Sequence, residues 1–403
     1  MKKLYTTIVL TTSVLFASSQ TFDWLYYNTG LTTDLYTVFF TDSMTGWVAG
    51  AGGFVKKTTT GGVTGGWISE NSTTTLSLRG MYFVTPNLGW MVGDDGTIRK
   101  TTNGGTSWTS QSQLTTQDFY GVYFVDATTG WAVGTGPMIF KTTNAGTTWT
   151  QQTSPGSNDF FSVWMIDANT GYICGQNGTF LSTTNGGTTW TPQTTSTTDS
   201  LKSVCFGSAT QGFSVGKNSK VLKTDGTTFT NVQPTSNETF NGTYFTNDTT
   251  GWVVGDSGKI YMTKTAGASW TLQTAQTTQK FYSVMFPVDS VGYAVGQNGI
   301  FRKYRIPTGV GMNEEKNNPL EMSVYPNPSN DFFSVSFVHL SQGSIKVEIF
   351  DITGKPVKSF EQVIASGKQV VKFRIGDLNL PKGIYFVNLS DGNNQSTSKL
   401  IVN

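Results

Sequence analysis

Carboxylates recur at near-regular intervals along the first three quarters of the sequence: Asp34, Asp118, Asp159, Asp199 and Glu238, with Ser77 and Lys280 filling the two open places of the series. Two or three residues after each comes a side chain of another kind: Tyr36, Arg79, Tyr120, Phe161, Lys202, Asn241 and Tyr282. Two carboxylates at a suitable separation can act as acid and as base or nucleophile on a glycosidic bond. Carboxylates beside aromatic rings equally suit the recognition of a sugar, a basic peptide or a cation, with no bond broken. A plain structural purpose is also open, because short acidic side chains accept backbone N–H bonds in turns, and a repeat copies its turn chemistry along with its fold.

Other chemistry is scarce. The one histidine, His339, lies outside the repeated region, which removes histidine-assisted nucleophilic triads and histidine metal sites from that region. Cys174 and Cys205 stand where the repeat elsewhere has valine and an aromatic or methionine, so they read as buried, unpaired core thiols. Gripping a substrate carboxylate with converging guanidinium groups needs several arginines at one place. The repeated region holds only Arg79, Arg99, Arg302 and Arg305, and Arg99 and Arg302 fall on third strands, away from any central axis. The segments "GDDG" and "GQNG" join strand to strand with no helix after them, so they are not phosphate-binding loops. No cofactor and no metal is expected. A net charge of +2 gives no field that would draw nucleic acid.

The spacing of the acids follows from a deeper repeat. A Gly-aromatic pair occurs as Gly46-Trp47, Gly89-Trp90, Gly130-Trp131, Gly171-Tyr172, Gly212-Phe213, Gly251-Trp252 and Gly292-Tyr293, in steps of 43, 41, 41, 41, 39 and 41 residues. A second glycine follows each first one by four residues, from Gly50 to Gly296. Threonine, valine and aromatics fill the strands, glycine fills the turns, and only 13% of residues are charged. A period near forty with four short strands per unit predicts an all-β, seven-bladed β-propeller. The acids lie twelve or thirteen residues before each blade glycine, ahead of the innermost strand, which puts them with Tyr36, Arg79, Tyr120, Lys202 and Tyr282 at one mouth of the central channel.

The ring closes through its first residues. Trp67, Trp108, Trp149, Trp190, Phe229 and Trp270 each precede the next Gly-aromatic pair by 22 residues, and Trp24 precedes Gly46 by the same 22. The unit that ends in "GIFRKYRIPTG" has three strands and no such tryptophan. The segment around Trp24 is therefore expected to be the fourth strand of the last blade.

The unit "GWMVGDDGTIRKTTNGGTSW" resembles the repeats of photosystem II assembly factor-like propellers, and is similar to the Asp-box (BNR) hairpins of sialidases and sortilin-type propellers. Thr101, Asn103, Gly105 and Trp108 hold the places of that hairpin's pattern, with asparagine for the usual aspartate. The resemblance implies a fold and not an activity.

The two ends of the chain carry an address. "MKKLYTTIVLTTSVLFASSQ" reads as a signal peptide over residues 1–19, too short to span a membrane. The propeller is expected over 20–306, a polar linker over 307–320, and a small β-sandwich over 321–403. The last unit resembles the C-terminal sorting domain of the type IX secretion system of Bacteroidetes, on Tyr325-Pro326-Asn327-Pro328, "DITGK" with Gly354, "GIYFV" and "KLIV" with Lys399. By that resemblance its partner is the type IX machinery, and the protein ends secreted or on the cell surface. The expected function is a non-catalytic binding or scaffold propeller with a glycan or peptide ligand. A glycoside hydrolase using two rim carboxylates, or a surface adhesin, is the alternative.

Overall fold

The computed structural model describes residues 24–111, 114–305 and, in the C-terminal part, 322–402 apart from 326, 328, 340–342, 353, 366 and 392–394. The expected signal peptide and linker lie outside the described residues. Seven four-stranded antiparallel sheets follow one another along the chain. Blade 1 runs from the inner strand Leu35–Phe40 to the outer strand Trp67–Glu70, and blades 2 to 6 begin at Leu78, Phe119, Phe160, Leu201 and Phe240. Blade 7 takes Phe281–Val288, Val291–Gly296 and Phe301–Arg305 from one end of the propeller and Trp24–Tyr26 from the other. Trp24 pairs with Tyr304, Leu25 with Lys303 and Tyr26 with Arg302.

The Gly-aromatic pair is explained by what lies on each side of it. In blade 2 the Phe83 ring lies over Gly89, where a Cβ would come within 2.4 Å of it. The other face of Phe83 stacks on Trp47 of blade 1 at 3.8 Å and 14°. Glycine makes room for the ring, and the aromatic after the preceding blade's glycine completes the sandwich. The same stack joins Trp90 to Phe124, Tyr172 to Phe206, Phe213 to Phe245 and Trp252 to Phe286. Tyr293 on Phe40, at 3.5 Å and 6°, carries it across the closure from blade 7 to blade 1. At the remaining interface Met165 replaces the aromatic and shares a buried cluster with Trp131. Each stacked pair is worth about 0.5–1.5 kcal/mol beyond the area it buries.

The outer-strand tryptophans brace these stacks edge-on. Trp108 meets Phe83 at 83°, Trp149 meets Phe124 at 84°, and Trp24 meets Phe286 at 87°. Trp24 is fully buried, so its place in the 22-residue series matches its packing.

The second glycine of each pair fixes the channel mouth. A Cβ on Gly134 would fall 2.0 Å from the carbonyl oxygen of Asp118, and one on Gly50 would fall 1.9 Å from that of Asp34. Those same carbonyls accept from Thr135 N at 2.9 Å and Ala51 N at 3.0 Å. Absence of a side chain thus lets the turn after the second strand lie flat on the residue that leads into the inner strand.

Residues 322–402 form two sheets around one core. Met322–Tyr325, Phe332–His339 and Gly367–Arg374 make the first, and Pro356–Ile364, Gly343–Asp351, Gly383–Ser390 and Gln395–Val402 the second. Phe333, Val335, Phe337, Ile345, Val347, Ile349, Val387, Leu389 and Leu400 fill the space between them. Among the described residues no helix is long and apolar enough to cross a membrane.

Candidate functional site

The inner strands bring Tyr36, Arg79, Tyr120, Phe161, Lys202, Asn241 and Tyr282 around one cavity of about 170 Å³ on the propeller axis. Adjacent members touch. The rings of Tyr282 and Tyr36 lie 5.3 Å apart, and Arg79 sits between the faces of Tyr36 and Tyr120 at 5.3 and 5.4 Å. Tyr120 meets Phe161 at 5.5 Å, and the Lys202 ammonium lies 3.7 Å over the Phe161 ring. Asn241 completes the set by donating to Asp256 Oδ1 at 3.1 Å and to the Phe281 carbonyl at 2.9 Å. A guanidinium between two tyrosine rings is held in one orientation.

The carboxylates stand one step outside this belt and reach across blade boundaries. Asp118 Oδ1 accepts from Asp95 N at 3.1 Å, Asp159 Oδ1 from Gly136 N at 2.9 Å, and Asp34 Oδ1 from Asn298 N at 2.9 Å. Each acid thereby clamps the turn of the preceding blade, a use the sequence left open as one of several. Asp34 also accepts from the Tyr282 hydroxyl at 3.2 Å. Burial first, and then the charge and hydrogen bond of Asp34, push the Tyr282 phenol up to about 12.

The five acids are not five equivalents. The turn amides of blades 5 and 6 bond to the carbonyls of Ser200 and Thr239, at the register where blades 1, 3 and 4 have Asp34, Asp118 and Asp159. Asp199 and Glu238 fall one residue earlier, which is the twelve-or-thirteen ambiguity of the sequence count. Asp199 accepts from Asn218 Nδ2 at 2.7 Å and faces Lys220 at 3.8 Å, and Glu238 accepts from Ser257 Oγ at 3.1 Å.

A second ring at the same mouth escaped the sequence reading. The residue after each second glycine, in Asp94, Thr135, Lys217 and Asp256 for example, lies fifteen positions beyond its blade's belt residue. Arg79 pairs with Asp94, Thr135 Oγ1 donates to the Tyr120 hydroxyl at 3.1 Å, and Asp256 holds Asn241 and also faces Lys280 at 3.5 Å. Burial opposes the Arg79 charge, but the hydrogen bond and charge of Asp94 outweigh it, and the guanidinium pKa is raised. The fixed place after the glycine was the available signal. The composition of "GDDG" and its relatives, which is that of a plain connection, masks it.

A larger recess, about 770 Å³, lies over blade 4 beside the mouth. Its amide side chains are already engaged: Asn158 donates to Thr179 Oγ1 at 2.8 Å, Asn177 to Asn158 Oδ1 at 3.2 Å, and Gln193 to Ser182 Oγ, outside the recess, at 2.9 Å. Among the described residues no charged side chain lines it, and Phe180 is its one aromatic, whereas charged and aromatic groups converge at the channel.

Residues outside the mouth have structural roles. Arg99 donates to the carbonyls of Ser72 and Thr73, and Arg302 to those of Ala275 and Gln276, so both brace interblade loops. Cys174 and Cys205 are free and buried, and burial raises both thiols to about 12. In the turn at Asn103, Gly105 N donates to Thr101 Oγ1 at 2.8 Å and Ser107 N to Asn103 Oδ1 at 3.0 Å, a short-range turn repeated at Asn144 and Asn185.

In the C-terminal unit Asn327 clasps the last strand: its Nδ2 donates to the Lys399 carbonyl at 2.6 Å, and its Oδ1 accepts from Ile401 N at 2.8 Å. Gly354, at φ +82°, closes a turn in which its N–H donates to the Asp351 carbonyl at 3.0 Å. Tyr325 ends the strand Met322–Tyr325 and is exposed, while Pro326 and Pro328 lie outside the described residues.

Fold and tail together define a seven-bladed propeller joined to a secretion sorting unit. Residues 64–157 and 226–305 match the family model of the photosynthesis system II assembly factor YCF48, and residues 323–403 match that of the secretion system C-terminal sorting domain. The chain thus carries YCF48-like repeats and a type IX sorting domain, the mark of export to the cell surface or beyond. No curated protein matches it. Among solved structures it is similar to YCF48 from Cyanidioschyzon merolae, at 19% identity and a TM-score of 0.60, covering 70% of this chain and 99% of that one. It is also similar to a YCF48 bound to D1 peptide, at 16% identity and 0.60, covering 72% and 96%. The WD40 propeller domain of Doa1 matches at 10% identity and 0.58, covering 71% and 98%. Identities this low speak for the fold alone.

Proposed function

We propose that this chain is an exported, non-catalytic binding or scaffold propeller whose ligand is held at the channel mouth. The observation that carries the reading is the continuous belt from Tyr282 through Tyr36, Arg79, Tyr120 and Phe161 to Lys202. It presents oriented cations and ring faces to a polar cavity, while the nearby carboxylates are engaged in holding turns. A glycan stacking on the rings or a peptide is the ligand class; a YCF48 propeller has been solved with a D1 peptide bound. The tail supplies the route out of the cell.

The test is a screen of the purified protein against glycan and peptide arrays, with product analysis of every hit. Binding without turnover supports the proposal. Turnover that disappears in Asp118→Asn or Asp159→Asn would replace it with the glycoside hydrolase. Binding that survives neutralisation of all rim acids and loss of the belt rings would move the ligand to another face, as an adhesin requires.

A further inference from the structure

The charge pattern of the mouth narrows the ligand, on the reading that the mouth is the binding face. Two cations line the cavity. Arg79 has its partner in Asp94. Lys202 is half-buried against the Phe161 ring, and among the described residues it makes no hydrogen bond or ion pair. Desolvation, and after it the charge of Lys217, lower its pKa. Asp159 offsets only part of the burial of this cation, and an anion brought to it recovers more of that cost.

The shape of the cavity limits what can follow that anion. Its waist is made of small residues, with Gly80, Gly121, Ser162, Ser203, Gly242 and Ser283 among the lining. A water's share of liquid volume is about 30 Å³, so the cavity has room for an end group and little more. Three residues further along the inner strands a second belt begins, built from Phe39, Tyr82, Tyr123, Trp164 and Tyr244. Its rings touch at 5.2 Å (Phe39 to Tyr82), 4.6 Å (Tyr82 to Tyr123) and 5.3 Å (Tyr123 to Trp164). Trp164 reaches past blade 5, where Cys205 holds the equivalent place, to Tyr244 of blade 6 at 6.4 Å. Beyond the residues that line the cavity, the inner strands thus carry a run of touching aromatic side chains.

We infer that the channel is a blind pit that takes the carboxylate end of its ligand, seated on the Lys202 ammonium beside the hydroxyls of Ser162 and Ser203, with no chain threaded through. The carboxylate belongs to a small free acid or to the C-terminus of a peptide.

Isothermal titration calorimetry on the full purified chain separates these sources, using N-acetylalanine, the acid N-acetyl-Ala-Ala-Ala and the C-terminal amide of the same tripeptide. Both acids bind, and the amide binds at least tenfold more weakly. Lys202→Met, which keeps an unbranched stem on Phe161, weakens both acids at least tenfold while its melting temperature stays at or above that of the parent chain. Equal affinity for the two acids identifies a small carboxylate, and tighter binding of the tripeptide acid identifies a chain end. Equal affinity for acid and amide, no binding of either acid at millimolar concentration, or indifference to Lys202→Met overturns the inference. If acid and amide bind alike and both are lost on replacing Tyr36, Arg79 and Tyr120 by alanine, the carboxylate assignment falls while the mouth keeps its role. If that replacement also has no effect, both readings fall.

Discussion

Lys202, which we propose as the seat of the ligand, works against its own fold. Its pKa is lowered by desolvation and then by Lys217, with weaker opposing help from Cys174 and Asp159. A lysine with a depressed folded-state pKa destabilises the fold while it is charged in both states, and the penalty is relieved as pH rises through the folded pKa toward the ordinary 10.5. Lys202→Met should therefore melt at or above the parent temperature at pH 7, with the difference shrinking at alkaline pH, as differential scanning calorimetry across pH can show. A lower melting temperature at pH 7 would mean that the ammonium is held by a favourable partner. At Gly134 the sign is the opposite. A methyl group 2.0 Å from the Asp118 carbonyl oxygen forces backbone apart. Gly134→Ala should cost about 1–3 kcal/mol or more in urea denaturation. These glycines were the most readable residues of the sequence, because a close approach of backbone or ring admits no other side chain and so recurs at fixed spacing. Asp94 and Asp256 were unreadable for the complementary reason: the turn tolerates any residue at that place, so nothing in the local pattern distinguished a partner of Arg79 or Asn241 from a connection.

At the scale of strands, the segment Trp24–Tyr26 makes the clearest case. Trp24 is fully buried against Phe286 and Tyr304, whereas Tyr26, two residues on, is 60% exposed over Arg302. Trp24→Ala should destabilise the propeller by about 3–5 kcal/mol. Tyr26→Ala should stay within about 1 kcal/mol. Equilibrium unfolding distinguishes them, and equal effects would contradict the assignment of this strand as the closure of blade 7. The 22-residue interval made the closure legible, since it counts strand and turn lengths that the blade geometry fixes. The same counting misaligned the rim acids of blades 5 and 6, where one residue more separates the acid from the glycine and only the amide-to-carbonyl register shows that Ser200 and Thr239 hold the equivalent place. In the tail, Asn327 is the only described side chain of Tyr325–Pro328 seen to hold the last strand. Asn327→Ala removes two hydrogen bonds, about 1–3 kcal/mol together. Faster amide exchange at Ile401 is the expected signature, and unchanged exchange would deny the clasp its role.

Across the whole molecule, seven repeats provide a rigid ring and leave its mouth free to vary. The interblade stacks use nearly the same residue type at each interface, whereas the belt runs through tyrosine, arginine, phenylalanine, lysine and asparagine. Variation at a position whose backbone is fixed by the repeat is where a fold common to many propellers acquires its own ligand. The most direct test replaces Tyr36, Arg79 and Tyr120 together by alanine and measures the affinity of the variant for a ligand found in the array screen. A ligand held at the mouth should lose at least tenfold in affinity, with the melting transition still cooperative. Unchanged affinity in a folded variant would contradict it.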